Sequence, residues 1–304
     1  MTLSAEQRAD LESLERRIRT MLPEQYREAY EEVRASSMGS AGLKYGEDGK
    51  VAWDEMWGSF CDLAMAGGPP HKGTLLEPGP ATEIVAQNER YQEVVNEICR
   101  GVEMTANLTA GESANPGWMR VNCVNRSTVD WLLRAITMEN VAVRADGLDL
   151  ELPAGPAYRM EKEIKNVITV IAKTSHYWFG HVYREQREEI RELFAALERE
   201  APLLQPMAAD FKSCETVRSR MCDAARSAGL QISNHGYDGW LGIEYPDVHS
   251  AIWVMRALVA SNVLARREDT VLFLPVDSVH DPSGEKAIGM TVRLNGLVAG
   301  RGVS

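Results

Sequence analysis

Residues 117–153 read GWMRVNCVNRSTVDWLLRAITMENVAVRADGLDLELP, and residues 239–275 read GWLGIEYPDVHSAIWVMRALVASNVLARREDTVLFLP. Laid over one another at a constant offset of 122, without a gap, they agree at 11 of 37 positions. Composition alone gives about two or three. The agreements include Gly117/Gly239, Trp118/Trp240, Trp131/Trp253, Arg134/Arg256, Asn140/Asn262, Arg144/Arg266 and Pro153/Pro275. Two copies at this separation read as a duplicated unit rather than a solenoid, which needs three or more repeats.

Each copy predicts the same order of elements. A helix (88–104 and 214–228) leads to a strand (118–124 and 240–245) and a second helix (127–139 and 248–261). Asn140 and Asn262 suit a left-handed C-terminal cap. Two β-favouring runs follow, Val141–Arg144 and Leu148–Leu152 in the first copy, split by Asp146-Gly147, a strong hairpin signal; Glu268-Asp269 in the second is weaker. The expected fold is therefore α+β, an internally duplicated α-β-α-β-β unit forming one pseudo-two-fold sheet backed by helices, with an N-terminal helical arm. A winged helix has a similar element order, but only about seventeen residues separate the first strand from the hairpin, too few for its two helices.

Outward from the copies, Ser4 is the expected N-cap of a helix with Leu11, Leu14, Ile18 and Leu22 on one stripe, and Pro23 opens a second, PEQYREAYEEVRAS. Residues 36–50, rich in Gly and Ser, read as a loop. Trp53, Met56, Trp57, Phe60 and Ala64 have helical spacing up to the breaker GGPPHKG. Tyr158 to about Glu200 reads as one long helix or two in line. The copies are expected to diverge after their shared proline, with AIGMTVRLNGLVA (287–299) a final strand or hairpin. The implied domains are 1–50 (helical hairpin and loop), 51–157 (first repeat), 158–212 (connecting helix) and 213–304 (second repeat and C-terminal strand).

The 304 residues carry 44% hydrophobic and 25% charged side chains and a net charge of −11, so the average field repels nucleic acid and anionic membrane surfaces. The charged start and short apolar runs give no signal peptide or membrane span, and the expected location is cytoplasmic. Five cysteines without a C-x-x-C pair argue against a disulfide framework or a cysteine-based zinc site.

The most specific functional feature is a polar stripe, Lys162, Asn166, Thr169, Lys173, His176 and Gly180, at spacings of three and four on an otherwise apolar helix. Lined into a cleft, Lys173 would lower the proton affinity of His176 and hold an anion while the imidazole acts as a base. His176 and His181, about 140° apart on a helix, are not expected to share a metal; His181 and Glu185 share a face and form a weak ligand pair. The loop 64–79 could present His71, Lys72 and backbone N–H groups to a phosphate or carboxylate, though its Lys-Gly-Thr order is not that of a Walker A loop.

Polar residues differ between the copies. Arg120, Asn122, Cys123, Asn125 and Arg126 surround the first strand of one; Gly242, Glu244, Tyr245, Asp247 and His249 that of the other. One asymmetric site, or one degenerate half, is inferred; Cys123 reads either as a half-buried strand cysteine or as a nucleophile whose thiolate Arg120 and Arg126 favour, with Arg126, Glu244 and His249 as ligand contacts. Arg134 and Arg256, matched in both copies beside Trp131 and Trp253, read first as structural and secondly as a pair of anion ligands. His235 and His280 read as turn residues.

These features predict an enzyme or binding protein acting on a small anionic molecule in a cleft between the copies, with His176, Lys173, His71 and Cys123 as chemical groups. No glycine fingerprint or dense ligand cluster names a cofactor. The alternative is a non-catalytic assembly protein, a homo-oligomer or accessory subunit, that binds another protein through its N-terminal helices.

Overall fold

The computed structural model describes residues 3–28, 42–207 and 210–301. Most of the second N-terminal helix expected after Pro23, and the start of the Gly/Ser segment, lie outside them. The described chain divides into two compact bodies. One holds 42–183 with Pro23–Gln25, the other 3–22, 26–28 and 184–301.

The chain opens with α1 (Ala5–Met21), a part of the second body. Ser4 caps it reciprocally: its hydroxyl accepts from the Gln7 N–H while the Gln7 side chain accepts from the Ser4 N–H. Leu14, Ile18 and Met21 are buried where α1 meets helices from the far end of the chain. Each such side chain contributes about 1.5–3 kcal/mol. The expected arm is thus built into its own body. Pro23 opens only a short 3-10 turn, Glu24–Tyr26.

The first body runs α2 (Ala81–Ala86), α3 (Asn88–Ala106), β1 (Ala110–Glu112), β2 (Trp118–Asn122), α4 (Arg126–Met138), β3 (Arg144–Asp146), β4 (Asp149–Pro153) and α5 (Lys165–His181). The second adds α6 (Arg184–Glu200), α7 (Phe211–Ser227), β5 (Trp240–Glu244), α8 (Val248–Val259), β6 (Arg266–Glu268), β7 (Val271–Pro275) and α9 (Glu285–Val298). Helix and sheet are mixed as an α+β fold requires.

The antiparallel registers recur residue for residue. Trp118 faces Pro153 and Arg144 faces Glu151; Trp240 faces Pro275 and Arg266 faces Phe273. Asn125 accepts the Thr128 N–H at the start of α4 as Asp247 accepts that of Ser250 at the start of α8. Asn140 and Asn262 have φ of 61° and 62°, and the hairpin turns place Gly147 and Asp269 at 60° and 51°. Arg144 lies over the Trp118 ring at 4.3 Å and Arg266 over the Trp240 ring at 5.2 Å.

Three expectations are corrected here. The strands form two sheets, β1-β2-β4-β3 and β5-β7-β6, not one. The outer edge of β2 is taken by β1, and that of β5 by bridges from Ile232 and Tyr237. The terminal segment is the helix α9, not a strand. Asp281 accepts the N–H groups of Lys286 and Ala287 at its start, and Ala287, Ile288, Thr291, Leu294 and Leu297 bury one helical face. Residues 53–64 make two 3-10 turns, Trp53–Glu55 and Ala64–Ala66, not a helix. Gly58 and Ser59 are poor helix formers, and Trp53 is drawn away to donate to Glu97 at 2.8 Å.

Correspondence also reaches beyond the shared proline. Helix α9 stands 122 residues after 163–176; α5 packs on α4 and α9 on α8. Thr169 bonds back to the Lys165 carbonyl as Thr291 does to that of Ala287. Upstream, Leu76 bridges Val141 and Leu204 bridges Val263. The Asn140 amide donates to the Lys72 carbonyl at 2.9 Å, and the Asn262 amide to that of Ala201 at 2.8 Å.

The long helical stretch expected from 158 opens with a wide turn, Met160–Ile164, and breaks at Val182, whose extended backbone separates α5 from α6. Among the described residues, no helix is long and apolar enough to cross a membrane.

Candidate functional site

The polar groups of the first body converge on a residue outside the predicted set, Glu139, at the C-terminal end of α4. Its carboxylate accepts the Ala64 N–H at 2.9 Å on one oxygen and the His71 N–H at 2.8 Å on the other. The Lys173 ammonium, from the middle of α5, reaches Glu139 Oε1 at 2.9 Å, and both side chains are fully sealed from solvent. Lys173 also donates to Cys61 Sγ at 3.3 Å. Burial works to lower the proton affinity of Lys173, but Glu139 and Cys61 outweigh it and raise the pKa above the ordinary value.

This pair fixes the Gly/Pro loop. With its two end N–H groups bound by one carboxylate, the segment 64–71 is drawn onto α4, and the Lys72 N–H adds a bond to the Glu139 carbonyl at 3.2 Å. His71 is thereby placed against Asn166 of α5, its Nε2 3.1 Å from Oδ1. An accepting Oδ1 keeps the proton on Nε2 and leaves Nδ1 with the ring's lone pair. Burial, assisted by Lys173 and Lys72 and opposed by Glu139 and Asn166, lowers the His71 pKa to about 4. The imidazole is neutral at pH 7.

Of the predicted residues, His71, Lys72, Asn166 and Lys173 therefore assemble in one place. The stripe is buried only in part. Lys173 and Thr169 are buried, whereas Lys162, His176 and Gly180 are exposed. The expected influence of Lys173 on His176 is corrected: Lys173 turns inward to Glu139, and it is burial and His181 that lower the His176 pKa. His176 ends a ladder of rings running from Trp53 through Trp57 and Phe60, with centroid separations of 6.3, 5.9 and 5.4 Å.

The angle of about 140° between His176 and His181 does not keep their rings apart, their Nε2 atoms being 3.1 Å from each other. Side chains lean toward the helix N-terminus, and at the last residue of α5 the His181 ring folds back over the preceding turn. His181 and Glu185 do not share a helix face, because α5 ends between them. Among the described residues, no group of three or more His, Cys, Asp or Glu could hold a metal.

Cys123 is not an activated nucleophile. It is buried, and desolvation, with Asp149 adding to it, pushes its thiol up to about 12. The arginines expected to favour its thiolate face carboxylates instead, Arg120 with Asp149 at 3.5 Å and Arg126 with Asp130 at 2.9 Å. Arg134 and Arg256 are each 2% exposed in the middle of their helices, and Arg134 donates back to the Asp130 carbonyl, which corrects their reading as anion ligands. Glu244 and His249 are exposed in the second body.

The second body has a different arrangement at the matching place. Ser261 and Asn295 stand 122 residues after Glu139 and Lys173. Ser261 lines a cavity of about 310 Å³ with Ser13, Arg17, Glu200, Asn262 and Arg293. Arg17 is bound to Glu200 at 2.7 Å. The cavity holds none of the predicted chemical groups. Comparison with protein-family models, curated proteins and solved structures finds no match to this chain.

Proposed function

We propose that the protein binds and acts on a small anionic molecule at His71 in the first body, with Lys72 supplying positive charge and the neutral imidazole serving as hydrogen-bond acceptor or general base. The observation that carries this reading is the His71 Nε2 to Asn166 Oδ1 contact of 3.1 Å, which orients a half-buried imidazole with Nδ1 unengaged among the described contacts. The Lys173–Glu139 pair is the support that holds the loop, not the reacting group. The N-terminal assembly reading has less support, because α1 buries its apolar stripe in its own chain.

We also propose that the two bodies descend from one duplicated α-β-α-β-β-α unit, and that the first kept or acquired the polar centre. The matched registers, left-handed asparagines and closing helices support this. Five unpaired cysteines support a reducing compartment such as the cytoplasm, and the net charge of −11 supports excluding nucleic acid as a partner.

The test is a thermal-shift screen of the full chain against phosphates, carboxylates and nucleotides, repeated with His71→Gln, Asn166→Ala and Lys72→Gln. Ligands that bind only the folded state raise the melting temperature by mass action. A ligand whose stabilisation is lost in His71→Gln and weakened in the other two places the site as described. Equal stabilisation in all four proteins, or no stabilising anion at all, overturns it.

A further inference from the structure

The ring pair at the end of α5 is independent of the His71 site. His176 is exposed and His181 half-buried, so both are open to water. Their Nε2 atoms are 3.1 Å apart, with ring centroids at 4.9 Å and planes inclined at 63°. Two neutral imidazoles facing Nε2 to Nε2 can share only one N–H···N bond. A cation placed between them would use both lone pairs. With metal–nitrogen distances of ~2.05 Å, nitrogens held at this separation subtend about 98° at the ion, a fit to tetrahedral zinc and to square-planar copper or nickel.

Two further observations favour a cation there. The rings are braced before any ligand arrives: Phe60 lies 5.4 Å from the His176 ring and Tyr177 5.3 Å from that of His181. Little ordering remains to be done on binding. The pair also occupies the last turns of a helix of 17 residues, where the macrodipole and the unpaired carbonyls favour positive charge.

We propose that His176 and His181 form a chelating site for a borderline divalent transition-metal ion, zinc, copper or nickel, whose remaining positions are filled by water. Imidazole ligation excludes magnesium and calcium, which prefer oxygen. With only two protein ligands, the ion is exchangeable rather than a structural zinc closed by four.

The experiment is isothermal titration of the full chain with zinc chloride at neutral pH, alongside His176→Ala, His181→Ala and, as a control, His235→Ala. One zinc per chain is expected, with affinity reduced about tenfold or more by either α5 substitution and unchanged by the control. Magnesium chloride should give no binding. On the parent protein, histidine ring nitrogen NMR should show the Nε2 signals of both residues shifting together as zinc is added, a readout that needs no variant. Parent-like zinc binding in both α5 variants, magnesium displacing zinc, or Nε2 shifts confined to other histidines would each overturn the site.

Discussion

Lys173 donates to Glu139 across 2.9 Å, and neither side chain touches solvent. Removing one partner of such a pair strands the other charge, which costs about 3–5 kcal/mol, whereas replacing both by uncharged groups of similar size removes the penalty. Glu139→Gln and Lys173→Met should therefore each lower the denaturation midpoint sharply, and the double variant should recover part of the loss. Urea titrations of the four proteins check this; single variants as stable as the parent would show the pair to be inert.

His71 gives stability a pH dependence of defined sign. Its folded pKa of about 4 lies below the ~6.5 of an unfolded chain, so on acidification the unfolded state takes up the proton first. The contribution is complete above about pH 6.5 and is lost as pH falls toward 4. The difference in stability between parent and His71→Gln, followed by chemical denaturation between pH 7 and 4, should shrink steadily across that window. A difference that stays constant would mean that the imidazole is not held neutral.

Asn140 and Asn262 combine a left-handed backbone with an amide bond to an incoming segment. Alanine at either position should cost about 2–3 kcal/mol, from the backbone strain and the lost bond, and glycine only about 1, from the bond alone. Thermal melts of the four variants measure both the size and the expected similarity of the two sites.

Cys123 should resist alkylation. With its thiol pushed up to about 12 and its side chain buried, iodoacetamide at pH 7.5 should leave it unmodified in the native protein and label it once the chain is unfolded. Peptide mass spectrometry reads the outcome. Rapid native labelling would return Cys123 to the list of nucleophiles.

The hairpin cores were legible because their constraints are local: a left-handed asparagine, an Asp-Gly turn and strand pairs closed by few residues. Helix α9 was not, since Met290-Thr291-Val292 favours strands by propensity and its helical state comes from the Asp281 cap and packing on α8. The matching Glu163/Glu285, Thr169/Thr291 and Val170/Val292 at offset 122 were a usable signal. So was Leu75-Leu76-Glu77-Pro78 against Leu203-Leu204-Gln205-Pro206, at offset 128 and hidden from a comparison at one offset. For the site, helical spacing found Asn166 and Lys173 and the Gly/Pro loop pointed to His71, but Glu139 was missed, because a carboxylate at a helix end reads as solvated until the chain crosses back over it. The contact of His176 with His181 was missed because a wheel of Cα directions ignores where long side chains reach at a helix terminus.

The shared register of β2/β4 and β5/β7 gives this chain an internal reference. At the offset of 122, Glu139 and Lys173 of one body correspond to Ser261 and Asn295 of the other, where Asn295 instead accepts from the Tyr245 hydroxyl at 2.7 Å. Grafting Ser261→Glu with Asn295→Lys, or the reverse exchange, asks whether such a charge pair can form on the second backbone, while its counterpart a hundred-odd residues away records everything else that changed.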